Sequence, residues 1–149
     1  MTTNYVELAN KIALDKKSKK ASLDALEGGG RGHLGAVLSL LEITRASYDS
    51  VLNHNPTNPL IVSRDRFVLS MGYGYLDLFT VLAGHGYFPT SELGGNCGFE
   101  SNLRGNLERA SLPGLEFSTG ALRHGLSAGV GMAMTYRLNK ELQILDLPS

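Results

Sequence analysis

Tryptophan does not occur in this 149-residue chain, and cysteine occurs once, as Cys97. A single thiol excludes an internal disulfide. Neither sign of charge is in excess, because the chain has 14 lysines and arginines and 14 aspartates and glutamates. The balance excludes the global basic field that is typical of proteins that bind nucleic acid or membrane surfaces. We therefore expect neither as a partner.

Long apolar runs are also missing. No uninterrupted stretch approaches the ~20 residues that a membrane span requires, and the polar start Met-Thr-Thr-Asn-Tyr is unlike a signal peptide. A cytoplasmic location is the default expectation. With 42% hydrophobic and 19% charged residues, the composition is that of a globular protein, and we expect one domain over residues 1–149.

Most of the sequence pattern is helical. Residues 4–27 predict one helix and residues 75–83 another, which Gly84 ends. Ser39 and Glu42 have the spacing of a capping box, which predicts a helix from Leu40. Two short apolar stretches are strand candidates: residues 66–70, typical of a buried parallel strand, and residues 142–147. We predict an α/β fold, helix-rich with few parallel strands.

A glycine-rich segment over residues 28–35 contains a formal G-x-G-x-x-G at Gly30, Gly32 and Gly35. A dinucleotide fingerprint needs a buried strand before its glycines, whereas residues 21–26 have a helical pattern. Nucleotide binding therefore remains only a weak alternative.

A second glycine-rich stretch, residues 113–138, joins a Pro-Gly turn to a long apolar helix, and its stripe includes Leu126, Val130, Ala133 and Arg137. Gly125, Gly129 and Gly131 lie beside that stripe. Each glycine inside a helix costs roughly 1 kcal/mol relative to alanine. The cost suggests close approach by another backbone or by a flat ligand near the helix start, although a simple glycine-rich packing helix is also consistent with the pattern.

Three sequence motifs carry a family resemblance. They are G-H-L-G at residues 32–35, R-D-R-F-V-L-S-M-G at residues 64–72, and P-G-L-E-F-S-T-G-A-L-R-H-G-L-S-A-G-V-G-M-A at residues 113–133. Together they resemble the thiamine-diphosphate-binding N-terminal domain of the transketolase family, most closely the N-terminal subunits of two-gene transketolases. The resemblance stops before the G-D-G metal motif, so it implies an incomplete thiamine-diphosphate-binding fold. Arg123 stands where the family pattern has glycine.

The resemblance implies a set of site residues. His33 would face the cofactor and the donor sugar, and Tyr73 and Asn106 occupy places where the family has histidines, so these three are the catalytic candidates. His33 and Tyr73 would also contact the cofactor. Gly120, Ala121 and Leu122 would bind its aminopyrimidine ring. Thiamine diphosphate is expected with magnesium, and the metal ligands are expected on a partner chain, because Asp146 lacks the glycines of the metal motif.

The implied function is that of a transketolase-like transferase subunit or fragment, which passes a two-carbon ketol unit between sugar phosphates. It would act only with complementary chains that supply the rest of the cofactor domain and the pyrimidine-binding domain. The alternative is a non-catalytic, degenerate remnant or assembly module of the same fold.

Overall fold

Helices dominate the computed structural model, which describes residues 5–109, 111–121 and 123–144. The four α-helices are α1 Tyr5–Gly29, α2 Leu34–Ser50, α3 Tyr75–Gly84 and α4 His124–Ile144, and two 3₁₀ turns cover Gly72–Gly74 and Thr90–Gly95. Within the described ranges, the β pairing consists of one antiparallel bridge between Leu107 and Thr119. The helix-rich organisation predicted from the sequence is confirmed.

Helix α3 lies at the centre of the core. All of its residues up to Ala83 are buried, and Leu76, Phe79 and Leu82 are 0% exposed. Because this helix has no polar face, it must be covered on all sides. Helices α1 and α2 and the turn Thr90–Gly95 pack around it. Leucines of the later loops complete the core, namely Leu103, Leu107, Leu112 and Leu115.

Helix α2 begins at Leu34 rather than at the predicted Leu40, so the capping-box prediction is wrong. The carbonyl of His33 already accepts the Val37 N–H at 3.1 Å. Ser39 therefore lies inside the helix, where its hydroxyl donates to the Ala36 carbonyl at 3.0 Å. A serine within a helix commonly bonds a carbonyl of the preceding turn in this way. Glu42 forms an ion pair with Lys19 of α1 instead of capping.

The glycine segment at residues 30–35 follows helix α1, since residues 21–26 are helical. The buried strand that a dinucleotide fingerprint requires is therefore not there. The weak nucleotide-binding alternative is not supported by this arrangement.

Residues 66–70 form no strand in the part of the chain that the structure describes, so this strand prediction is wrong. Two of their apolar side chains pack into the core: Leu69 is 8% exposed, and Phe67 packs against the core residues. A strand also needs a neighbouring backbone, and no described segment pairs with this one. The second predicted strand is also wrong over residues 142–144, which belong to α4. Residues 145–147 lie outside the described residues.

Helix α4 contacts the rest of the chain closely at its first turn. A Cβ atom on Gly125 would lie 2.6 Å from Ser70 Cα, so a side chain there would collide with backbone. Around Gly129 and Gly131 no described atom lies within 4 Å of such a Cβ. The predicted close approach by another backbone is thus confirmed at Gly125 and has no counterpart at the other two glycines among the described residues.

A buried carboxyl group joins α3 to α2. Asp77 is 0% exposed, and burial raises its pKa to about 7. The Thr44 hydroxyl lies 2.6 Å from Asp77 Oδ2 and 3.2 Å from the Leu40 carbonyl oxygen. A hydroxyl has one proton, so it cannot donate fully to both acceptors. If Asp77 is protonated, it donates to Thr44, which then donates to Leu40, and both hydrogen bonds form.

We expect Asp77→Asn to remove a pH dependence of stability. The folded state keeps the Asp77 proton up to about pH 7, whereas an unfolded aspartate releases it near 3.8. The contribution of Asp77 to the free energy of unfolding therefore falls as pH rises between these values and is constant above them. Each pKa unit corresponds to about 1.4 kcal/mol, and the substitution removes this penalty but leaves one N–H of the new amide unpaired. At pH 8 the free energy of unfolding of Asp77→Asn should therefore exceed that of the wild type by about 1–3 kcal/mol.

Urea unfolding at several pH values measures this difference. Asp24→Asn is the matched control, because Asp24 is an exposed carboxylate paired with Lys20 one turn away. That control should change stability little. If Asp77→Asn were the less stable protein at every pH, the Asp77 carboxylate would be ionised and required in that form.

Candidate functional site

A cavity of about 510 Å³ lies where the start of α2 meets the start of α3. We call it the site cavity. Its lining comes from three parts of the chain, namely Arg31, Gly32 and His33, then Tyr75, and then Cys97, Gly98, Phe99, Ser101, Arg104, Gly105 and Asn106. The structure thus brings two catalytic candidates, His33 and Asn106, to the wall of one cavity.

The third candidate, Tyr73, contacts His33 directly. Their ring centroids are 4.6 Å apart with the planes inclined by 52°. His33 is exposed and Tyr73 is 46% exposed, so both side chains are open to solvent. Contact between the rings restricts the rotamers of the imidazole without covering it.

Two glycines direct Tyr73 outward. It is the middle residue of the 3₁₀ turn Gly72–Gly74. A Cβ atom on Gly74 would lie within the side chain of Leu40, and one on Gly72 would lie 3.1 Å from the Thr119 carbonyl oxygen. The turn therefore packs closely on both sides through its glycine backbone, and Tyr73 is the residue left to project from it.

Thr119 links the segments that carry the candidate residues. Its N–H donates to the Leu107 carbonyl at 3.1 Å, one residue after Asn106. Its own backbone packs against Gly72, one residue before Tyr73. Thr119 also precedes Gly120 and Ala121, which are both exposed. The remaining cofactor candidate, Leu122, lies outside the described residues.

The Thr119 hydroxyl is one of the buried polar atoms in the described part of the chain that have no hydrogen-bond partner. It lies 3.3 Å from the position that a Cβ atom on Gly72 would take. Buried hydroxyls normally have a partner. The unpaired Thr119 hydroxyl is thus buried between the Tyr73 turn and Gly120, next to the cofactor candidates.

The sequence did not predict that Tyr75 and Cys97 would line the site cavity and contact each other. The Tyr75 hydroxyl donates to the Arg31 carbonyl at 3.3 Å and lies 3.5 Å from Cys97 Sγ. Burial, followed by its contact with Cys97, raises the pKa of Tyr75. Cys97 has a φ of 60°, the left-handed region that few residues other than glycine adopt. No local pattern around Cys97 indicates this contact, which depends on how α3 packs.

The charges of the site cavity are of one sign. Arg31 and Arg104 contribute to its lining, and no aspartate or glutamate does. Glu108, outside the lining, lies 3.4 Å from Arg104 and offsets part of its charge. Such a cavity favours anionic ligands. Over residues 5–109, 111–121 and 123–144, no three histidine, cysteine or acidic side chains gather in a way that would bind a metal ion.

Comparison with known proteins identifies the family. Residues 11–143 match the family model for the transketolase, thiamine diphosphate binding domain. The chain belongs to the transketolase family. It is 38% identical over 132 residues to the transketolase of Buchnera aphidicola subsp. Acyrthosiphon pisum, and 36% identical over 132 residues to transketolase 2 of Escherichia coli. Each alignment covers 88% of this chain and 19% of the relative.

Solved transketolase structures share the fold. The transketolase from Leishmania mexicana superposes with a TM-score of 0.74 at 32% identity, over 80% of this chain and 18% of that one. The Pichia stipitis transketolase complexed with sedoheptulose 7-phosphate superposes with a TM-score of 0.67 at 29% identity, with the same coverage of both chains. These likenesses confirm the expected fold class, a helix-rich part of the transketolase α/β fold. The chain spans about a fifth of the length of these transketolases.

No helix within the described residues is long and apolar enough to cross a membrane.

We expect Arg123→Gly to stabilise the protein. Arg123 has a φ of 77° just before α4, a conformation that costs an L-residue about 1–2 kcal/mol. Glycine adopts it freely but loses more entropy on folding, so the gain should be about 0.5–1 kcal/mol in the free energy of unfolding. Arg109→Gly is the matched control, because Arg109 is exposed and its φ is not positive.

Denaturant unfolding of the two variants and the wild type provides the measurement. Both variants lose one positive charge, so the difference between their free energies of unfolding measures the effect of the positive φ at residue 123. Equal destabilisation by Arg123→Gly and Arg109→Gly would show that Arg123 bears no strain.

Proposed function

We propose that this chain is part of a transketolase-like transferase, which passes a two-carbon ketol unit from a ketose phosphate to an aldose phosphate. The observation that carries the proposal is the contact between His33 and Tyr73 beside the site cavity, whose wall includes Asn106. These are the positions that the family pattern assigns to the donor sugar and the cofactor. The family membership supplies the reaction class.

The residues fit one side of thiamine diphosphate. The exposed backbone of Gly120 and Ala121 is accessible to a flat ring, and the unpaired Thr119 hydroxyl lies immediately before them. When bound, the cofactor supplies the electron sink for breaking a carbon–carbon bond of the ketose. The described residues do not offer a magnesium site, so an anchor for the diphosphate would come from elsewhere.

Each candidate side chain has a role that its position supports. The exposed His33 imidazole can accept the proton of a donor-sugar hydroxyl and return it. Tyr73 restricts the orientation of that ring through direct contact. Asn106 can donate and accept hydrogen bonds with sugar hydroxyls, although an amide cannot transfer a proton near neutral pH. His33 is thus the one general acid and base among the three.

The positive lining of the site cavity supports phosphorylated substrates. Arg31 and Arg104 are on its wall, and a guanidinium can bind phosphate oxygens through two parallel hydrogen bonds. Both arginines are exposed and accessible to a substrate that enters from solvent. Arg104 pairs with Glu108 at 3.4 Å, and an exposed pair of this kind is weak enough for a phosphate to compete with it. We assign sugar phosphates as the substrate class on this ground.

Complementary chains are part of the proposal. The transketolases that this chain matches are about five times as long as the matched section, which covers 19% of them. We infer that the remaining cofactor domain, the magnesium ligands and the pyrimidine-binding domain lie outside these 149 residues, and we propose complementary transketolase-like chains as their source. The cytoplasmic location expected from the sequence stays a prediction.

The alternative is a non-catalytic assembly module of the same fold. Its support is the replacement of family histidines by Tyr73 and Asn106, together with the exposed length of α4. On this hypothesis the chain keeps the surfaces that pack against other parts of the fold but has no catalytic role. The effect of removing His33 separates the two functions.

We expect the isolated chain to bind thiamine diphosphate weakly or not at all, even with magnesium. The described residues supply one face of a site and no cluster of metal ligands. Isothermal titration calorimetry measures the affinity, with full-length Escherichia coli transketolase 2 as the comparison protein. Micromolar affinity of the isolated chain would reveal a metal site that its described residues do not contain.

In an active complex reconstituted with partner chains, we expect His33→Ala to lower turnover by about 10²–10⁴-fold, the usual contribution of a positioned general acid or base. The melting temperature should change little, because His33 is exposed. Tyr73→Phe keeps the ring that contacts His33, and Asn106→Ala removes hydrogen bonds only. Each should cost about 1 kcal/mol of transition-state stabilisation.

Steady-state kinetics with melting temperatures for the three variants provide the comparison. If His33→Ala were as active as the wild type while Tyr73→Phe were inactive, the tyrosine would carry the proton transfer. If none of the variants changed turnover, the assembly-module alternative would be favoured.

A further inference from the structure

Two histidines that do not line the site cavity contact each other near the ends of α2 and α3. The ring centroids of His54 and His85 are 5.0 Å apart, and the planes are nearly perpendicular, at 88°. His85 directly follows α3, and His54 comes shortly after Ser50, where α2 ends. Both side chains are half-buried. We call them the histidine pair, and the proposed function gives them no role.

The partners of His54 assign its tautomer. Nε2 lies 3.0 Å from the carbonyl oxygen of Tyr48, which can only accept, so Nε2 carries the ring proton. Nδ1 lies 3.2 Å from the Tyr87 hydroxyl, which therefore donates to it. A second proton on the His54 ring would remove this acceptor, and the Tyr87 hydroxyl would have to turn its own proton away.

His85 lies beside a carboxylate that is already paired. Its Nε2 is 3.1 Å from Asp49 Oδ1, whereas Arg45 Nη2 is 2.6 Å from Asp49 Oδ2. The Arg45 side chain also binds Asp15 of α1 and is 7% exposed. Burial lowers the pKa of His85 more than the Asp49 carboxylate raises it, and the charges of His54 and Arg45 also lower it.

The other groups around the histidine pair make added positive charge costly. Tyr48 and Tyr87 stay neutral, because burial raises the pKa of both phenols. Lys17 of α1 lines the same small cavity as Arg45 and His85. Two imidazolium rings in contact, with Arg45 and Lys17 nearby, would repel each other. The packed arrangement therefore favours uncharged rings.

His54 lies at the base of a loop whose two ends are joined. The Asn53 N–H donates to Asp65 Oδ2 at 2.8 Å, and the Asp65 N–H donates to the Asn53 carbonyl at 2.8 Å. We call these two residues the neck of the 53–65 loop. Loops with joined ends are compact units. His54 follows one residue of the neck and Arg64 precedes the other, so both are directly connected to it.

Arg64 connects the loop to the segment that carries the cofactor candidates. Its Nε and Nη2 donate to the two carboxylate oxygens of Glu116 at 2.8 and 3.0 Å. The two side chains are 11% and 10% exposed, so these charge-assisted hydrogen bonds are largely shielded from solvent. The same segment continues to Thr119, whose N–H donates to the Leu107 carbonyl, and then to Gly120. The charges of Arg64 and Glu116 also act on Tyr87, the partner of His54.

We propose that the histidine pair makes the 53–65 loop a pH-responsive element that controls the position of residues 116–121. At neutral pH the rings are uncharged, and His54 holds the loop against Tyr48 and Tyr87. In acid the charged rings separate, the neck opens, and Arg64 releases Glu116. An effect on cofactor binding rests on the proposed function, whereas the movement of the loop does not.

Thermodynamic linkage gives the direction and size of the response. In the closed loop His85 takes up a proton less readily than in an open, solvated loop, where histidine titrates near 6.5. Opening therefore becomes easier as the pH falls below this value and is independent of pH well above it. A histidine that stays neutral in the closed form makes opening about tenfold easier about one pH unit below its open-state pKa.

Hydrogen exchange of the wild-type chain tests the proposal, with protection factors that correct for the intrinsic effect of pH. Between about pH 8 and about pH 5.5, protection of the Asn53, Asp65 and Thr119 amides should fall by about three- to tenfold. The Phe79 and Leu82 amides of α3 should keep their protection, because the core stays folded. This measurement needs no variant.

Glutamine variants identify the groups that respond. In His54→Gln and His85→Gln the new amide can still donate and accept hydrogen bonds but cannot gain a charge. Each single variant should lose part of the pH dependence, and the double variant should be protected equally at both pH values. His124→Gln is the matched control, because His124 is exposed at the start of α4. It should respond to pH as the wild type does.

The proposal is overturned if wild-type protection of the neck is the same at both pH values, if the α3 amides lose protection in parallel, or if the glutamine variants respond like His124→Gln. Loss of protection at the neck without loss at Thr119 also overturns it, because residues 116–121 would not follow the loop. If the loop responds as expected but His33→Ala leaves the turnover of the reconstituted complex unchanged, the proposed function is contradicted and this inference stands.

Discussion

The burial of α3 from Tyr75 to Ala83 is the constraint on which the rest of the described structure depends. A helix without a polar face requires neighbours on every side, and α1, α2 and the later loops are arranged to provide them. Tyr75, its first residue, reaches the Arg31 carbonyl and Cys97, so the same packing forms the floor of the site cavity. The carboxyl of Asp77 lies within this core as a group whose burial favours the neutral form.

Sequence reasoning succeeded where the determinants are local. The helix predicted for residues 75–83 and the long first helix appear almost as expected, because apolar periodicity and glycine ends are read within a few turns. It failed where a partner decides the outcome. Residues 66–70 have the composition and alternation of a strand, but a strand exists only beside another backbone. Ser39 and Glu42 resemble a helix start, yet the chain already becomes helical after His33.

The candidate site shows a similar division. The family resemblance suggested His33, Tyr73 and Asn106 as site residues, which remains a prediction, and the structure brings two of them into ring contact and two onto one cavity wall. No motif indicated that Thr119 would connect their segments, since its contacts with Leu107 and Gly72 join distant parts of the chain. Cys97 and Arg123 adopt left-handed backbone conformations that neither residue type favours. The glycine of the family pattern at the Arg123 position is a signal for one of them, whereas nothing in the sequence around Cys97 indicates the other.

The contact of Gly125 with Ser70 has a mechanical consequence. Among residues 124–139, Gly125 alone is buried. Helix α4 therefore packs on the rest of the described chain near its first turn, and its later turns are exposed; each residue adds about 1.5 Å to its length. Ser70 leads into the Tyr73 turn, and Ala121 and Gly120 lie three and four residues before His124, the first residue of α4. A displacement of the exposed part of the helix would therefore act on the rest of the described chain mainly through the contact at Gly125. On the proposed function, any free energy that assembly on α4 contributes to cofactor affinity is matched by an equal contribution of the cofactor to assembly.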